Sequence, residues 1–171
     1  YVDFGGESAL PLVDKYDNLL VVQTFSKSRS MAGMRIGYAF GSERVISAIY
    51  AVRNSYNSYT MNMTAQILGV EAVRDEAYFK ETVQKIINTR ERVKKELREL
   101  GFTFPDSKTN FVFASHKSVP AKDIFEALRM QDIYVRFWNK ERINNCLRIT
   151  IGTDEEMDKM ICFLKEFLKD K

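Results

Sequence analysis

Lys27 stands in a run whose residue types could do covalent chemistry: Thr24, Ser26 and Lys27, then Arg35 beyond a turn of small residues. A lysine amine condenses with an aldehyde when it spends part of its time neutral, which needs a pocket that disfavours its charged form. Hydroxyl groups bind phosphate by hydrogen bonding, and arginine offers a planar fork of donors suited to it. The set could therefore seat a phosphorylated aldehyde, with Lys27 holding the carbonyl carbon as a Schiff base and Thr24, Ser26 and Arg35 holding the phosphate. Ala32 and Gly33 let backbone approach backbone where larger side chains would obstruct it. The alternative is that Lys27 and Arg35 are ordinary solvated charges in a polar turn.

These side chains need elements to place them. The apolar run Leu19–Val22 reads as a buried strand that delivers Lys27 to a sheet edge, and Ile36–Gly41 reads as a second strand returning from the loop. Pro11 limits a short helix between Ala9 and Tyr16. Ser42 and Glu43 cap a helix to about Val52, with Val45, Ile46, Ile49 and Val52 on one face. A polar, aromatic loop, Arg53–Ser58, follows. The small residues Ala65, Gly69 and Ala72 predict close packing of a helix over Thr64–Arg74.

A long amphipathic helix spans Glu76 to Leu100, with Gly101 as its stop; Arg90 interrupts any coiled-coil seam. Strands follow at Asn110–Ala114, Ile133–Phe137 and Leu147–Ile151, with helices at Ala121–Met130 and Asp154–Leu168. Thr153 and Glu156 form a capping box for the last helix. The fold class is α/β, with helices over a small mixed sheet. Two arginines lie on these strands. Arg148 sits among apolar neighbours and needs an anionic partner, either a ligand or a structural carboxylate. Arg136 lies on the strand face opposite Val135; it is either a second anion contact or a solvent-facing residue.

The string from Thr24 to Gly37 resembles the cofactor-lysine signature of class I/II aminotransferases, the fold-type I enzymes dependent on pyridoxal 5′-phosphate (PLP). In that family a hydroxyl-x-x-Lys precedes an Ala-Gly-x-Arg-x-Gly. The resemblance implies that Lys27 is the catalytic lysine that carries PLP and moves the substrate proton. Thr24, Ser26 and Arg35 would anchor the phosphate, and Tyr1 would meet the cofactor's ring hydroxyl. Cys146–Thr153 is similar to the family's Leu-Arg-Ile-Thr element, implying that Arg148 clamps a substrate carboxylate. Ile133–Arg136 and Ser107–Phe111 resemble the histidinol-phosphate aminotransferase branch, in which an arginine at position 136 meets a substrate phosphate. The implied reaction moves an amino group between glutamate/2-oxoglutarate and such a phosphorylated substrate, as in histidine biosynthesis.

The same resemblance divides the chain into residues 1–75, the C-terminal portion of a large PLP-binding domain, and residues 76–171, a connecting helix and small domain. It also makes this chain the C-terminal part of a longer enzyme. The remainder would supply an aspartate for the pyridine nitrogen, an aromatic residue stacked on the ring, and a residue reaching across a homodimer. The chain alone is then expected to be inactive. Two rivals remain open: a non-catalytic fragment, and a decarboxylase or lyase of the same fold, such as the threonine-phosphate decarboxylase branch.

Composition agrees with a cytoplasmic enzyme piece, and the resemblance implies small amino-acid and keto-acid substrates. The 171 residues are 45% hydrophobic, and a net charge of +3 is too small to argue for nucleic acid. No stretch suits a membrane span or signal peptide. Cys146 and Cys162 lack metal or redox spacing and read as reduced, buried thiols. His116, the sole histidine, reads as a surface residue beside a polar turn, and no metal site is expected.

Overall fold

The computed structural model describes residues 1–169. The chain divides into two compact units, Tyr1–Thr82 and Val83–Lys171, and the division falls inside a helix.

In the first unit, strands β1 (Leu20–Thr24) and β2 (Gly37–Gly41) pair antiparallel, with Thr24 opposite Gly37. The lysine loop is thus the connection of a two-stranded ribbon. The strand expected to be buried is not: Val22 is 64% exposed, because this sheet has only two strands among the described residues. The expected helix near Ala9 is a single 3-10 turn at Leu10–Leu12, held short by Pro11 at its start.

Helix α1 (Glu43–Tyr56) runs further than predicted and absorbs Arg53–Tyr56. Ser42 occupies its N-cap position, but the hydroxyl donates to the Asp17 carbonyl at 2.7 Å rather than accepting from the helix. Helix α2 (Met63–Arg74) is capped by the Asn62 side chain, which accepts from the Ala65 amide at 2.8 Å. Its small residues pack as expected. Ala65 and Gly69 are buried, and a Cβ at position 69 would meet Ile36 at 3.0 Å.

Helix α3 (Glu76–Glu99) ends at Gly101, whose φ of +87° suits glycine. Beyond it the second unit forms one sheet, from β3 (Phe102–Thr103), β4 (Phe111–His116), β5 (Arg136–Phe137) and β6 (Leu147–Thr150), in the order β3-β4-β6-β5. Every pairing is antiparallel, which corrects the mixed sheet expected. The parallel strands β4 and β5 never hydrogen-bond because β6 lies between them. Strand β5 is also shorter than predicted. Ile133 instead closes helix α4 (Ala121–Arg129), its amide donating to the Leu128 carbonyl at 3.0 Å.

Alternation along these strands sorts the sheet's two faces. Val112, Ala114, Leu147 and Ile149 point into a core with Val93 and Leu97 of α3, Ile124 and Leu128 of α4, and Met160 and Leu164 of helix α5 (Asp154–Leu168). His116 joins that face and is 6% exposed, so it is no surface residue. Its Nδ1 accepts from the Ser118 and Val119 amides, and Nε2 donates to the Leu100 carbonyl at 2.9 Å. The ring staples the turn after β4 to the end of α3. The thiols were also misjudged: Cys146 is half-buried, Cys162 is exposed, and both are free.

Charge pairs tie α3 to its neighbours. Arg90 and Lys94 are each 2% exposed. Arg90 donates to Glu91 and, at 2.9 Å, to the Thr109 carbonyl, while Lys94 meets Glu91 at 2.8 Å and also Asp106. Arg92 bonds Asp154 at 2.9 Å and Asp158 at 2.6 Å. Hydrogen bonds from Lys94 hold the Glu91 and Asp106 carboxyls below their ordinary range, and those from Arg92 and then Thr89 do the same for Asp154. Carboxyls so depressed stabilise the fold above the unfolded carboxylate range and lose that contribution as pH falls through their folded values. The urea midpoint of the chain is therefore expected to be flat from neutral pH to about pH 5 and to fall below about pH 4. Glu91→Gln is expected to shallow that fall.

The capping box is present with both bonds, Glu156 amide to Thr153 hydroxyl and Thr153 amide to Glu156 carboxylate. Thr153→Ala is expected to cost about 1 kcal/mol, read from the same urea curves.

Candidate active site

In the first unit, the loop after β1 is fixed by its own backbone. The Phe25 amide donates to the Ile36 carbonyl, the Met31 amide returns to Phe25, and the Ser30 amide donates to the Lys27 carbonyl. Phe25 and Ile36 are buried against Ala65, which anchors both ends of the loop on α2. Arg29 adds a clamp. Its Nη1 donates to the Ala72 carbonyl, and its guanidinium lies 4.1 Å from the Phe79 ring centroid.

A cavity of about 330 Å³ opens beside this loop, and Tyr1, Thr24 and Lys27 all line it. An amine, a phenol and a hydroxyl therefore share one hollow, a donor set that suits a small phosphorylated carbonyl compound. Ser26 and Arg35 are not among its lining residues. The Ser26 amide instead donates to Thr24 Oγ1 at 3.3 Å. Arg35 is exposed, adopts φ +58°, and donates through Nη1 to the Ala32 carbonyl at 3.0 Å. Lys27 is also exposed. The desolvating pocket that the sequence argument requires is thus not supplied by the described residues.

Asp3, which the sequence analysis gave no role, does positioning work here. Its carboxylate accepts from Gln23 Nε2 at 2.8 Å and from the Ser28 hydroxyl. One side chain thus ties the first turn, Val2–Phe4, to β1 and to the residue after Lys27, and so holds Tyr1 beside the lysine. Tyr38 titrates above the usual tyrosine range, chiefly through burial and then through the nearby Asp3 charge.

In the second unit, the sheet face opposite the core carries both predicted arginines. Arg148 pairs directly with Arg136 on one side and with Phe113 on the other. Like charges opposite one another destabilise a ladder unless something compensates. Among the described residues no carboxylate does: neither arginine has an ion-pair or hydrogen-bond partner, and Arg148 Nε is buried without an acceptor. Aromatic rings surround them instead. Arg148 lies 5.5 Å from the centroids of Phe111 and Trp138, and Arg136 lies 5.5 Å from Trp138. The result is a dicationic row held by rings, with no acid to neutralise it.

The family model for aminotransferase class I and II matches residues 1–164. The chain belongs to this family. The histidinol-phosphate aminotransferase of Lactococcus lactis subsp. cremoris (strain MG1363) is 57% identical over 171 residues, which are 100% of this chain and 48% of that protein. This chain therefore spans about half the length of the curated relatives it matches. A crystal structure of histidinol-phosphate aminotransferase from Sinorhizobium meliloti, in complex with pyridoxal-5′-phosphate, superposes with a TM-score of 0.83 at 29% identity, covering 99% of this chain and 47% of that one. A decarboxylase from Sulfurospirillum multivorans gives a TM-score of 0.86 at 26% identity, covering 100% and 46%. The α/β class expected from sequence is that of this family. Among the described residues no helix is long and apolar enough to cross a membrane, and no group of three or more His, Cys, Asp or Glu could hold a metal ion.

Asp3→Ala is expected to free the first turn. The Gly5 and Gly6 amides, which donate to the Val2 carbonyl, should then exchange with deuterium about tenfold faster.

Proposed function

We infer that the whole protein is a PLP-dependent aminotransferase, moving an amino group between glutamate/2-oxoglutarate and a phosphorylated amino or keto substrate such as histidinol phosphate. The observation that carries this is the pairing of Arg136 with Arg148 on one open sheet face, with no carboxylate partner for either among the described residues. A site of that kind suits a substrate with a phosphate or carboxylate group. Support for the cofactor comes from the lysine, phenol and hydroxyl that share one cavity and from the family itself.

Each residue then has a stated task. Lys27 Nζ would hold the cofactor's aldehyde and would move the proton at the substrate's Cα. Thr24, Ser26 and Arg35 hold the phosphate, which in this chain requires Arg35 to turn from the Ala32 carbonyl. Tyr1 sets the ring hydroxyl, Arg148 fixes a substrate carboxylate, and Arg136 takes the phosphate. Bound PLP supplies an electron sink for the carbanion that the protein alone lacks. Residues up to about 75 would belong to a large domain and the rest to a connecting helix and small domain. The working protein would be a cytoplasmic homodimer.

Decarboxylation is the second reading. It is favoured by the likeness to the Sulfurospirillum multivorans enzyme, and the same residues would hold the cofactor in either case.

The chain incubated with PLP is expected to show a visible absorbance band that Lys27→Ala lacks, and borohydride reduction is expected to leave one covalent label, on Lys27. Labelling spread evenly over many lysines, or unchanged in Lys27→Ala, would remove Lys27 from this role.

A further inference from the structure

Resting on the paired-arginine reading, we propose that Trp138 is a positioning residue that holds the Arg136 and Arg148 guanidinium groups ready for an anion. The problem it solves is electrostatic. Two full positive charges face each other across β5 and β6, and among the described residues neither has a carboxylate partner. Unrestrained, long arginine side chains swing apart into solvent, which relieves the repulsion but disperses the donors.

Trp138 follows β5 directly, and its ring centroid lies 5.5 Å from both guanidinium groups. Indole is the strongest aromatic partner for a cation, and its attraction acts on both groups without neutralising either. A carboxylate there would hold the arginines equally well but would compete with any anion. The ring is itself braced, edge-on, by Phe113 at 6.2 Å, which lies opposite Arg148 on β4. Phe111 gives Arg148 a second face. Among the described residues, Trp138 alone reaches both arginines.

The chain contains a single tryptophan, so its fluorescence reports this place and no other. Inorganic phosphate titrated into the full chain at low ionic strength is expected to change that emission saturably, with the same dissociation constant by calorimetry. Trp138→Phe should keep that constant within about threefold, and Trp138→Leu should weaken it about tenfold. Trp138→Met repeats the comparison with a longer apolar side chain, and circular dichroism checks each variant's fold. An indole with only a structural task would lower the unfolding midpoint in Trp138→Leu and leave phosphate binding unchanged; that result overturns the proposal. If that variant binds normally while Arg148→Met does not, only the role of Trp138 falls and the arginine pair stands. Absence of saturable binding by the unaltered chain overturns both.

Discussion

The strict two-residue alternation of β4 and β6 is the constraint on which the second unit rests. Because Val112, Ala114, Leu147 and Ile149 must all face the helices, Phe111, Phe113 and Arg148 have no choice but the other face. Hydrophobic burial thus exposes the arginine, and cross-strand register with β5 sets Arg136 against it. A one-residue slip of β6 would drive Arg148 into the core. The energy that selects this register is far larger than any term the arginines contribute, so the fold can sustain an uncompensated pair of charges.

The first unit works by different means. Its buried cluster is small, centred on Phe25, Ile36 and Ala65, and it holds the ends of the loop rather than the loop itself. Polar side chains do the remaining positioning: Arg29 on one flank, Asp3 on the other. Lys27 stands at the exposed crest between them.

Much of this was legible in the sequence, and the failures have physical causes. Helices α3 and α5 carried their own stop and cap in Gly101 and the Thr153–Glu156 pair, so periodicity and local chemistry agreed; the Asn62 cap of α2 was not read. Strand burial was not legible, since Leu19–Val22 looks the same whether its neighbours are strands or solvent. His116 was misjudged because its ring bonds the Ser118 and Val119 amides of the following turn and the distant Leu100 carbonyl, which a polar turn in sequence does not reveal. The dicationic row was half visible: alternation gave the face of Arg136, but only register could place it against Arg148. Asp3 could not be read at all, because its partners lie twenty or more residues away.

Gly152 sits between Arg148's strand and α5, in a motif where a glycine invites a reading as clearance for a ligand. The structure gives it another reason: a Cβ there would collide with the Glu156 carboxylate as it reaches back to cap the helix. The mutational freedom of the two positions is therefore linked. Any side chain at 152 must push that carboxylate aside and cost the cap its bond to the Thr153 amide. Sequence drift along this segment has to move in pairs, and a single change from either side is penalised.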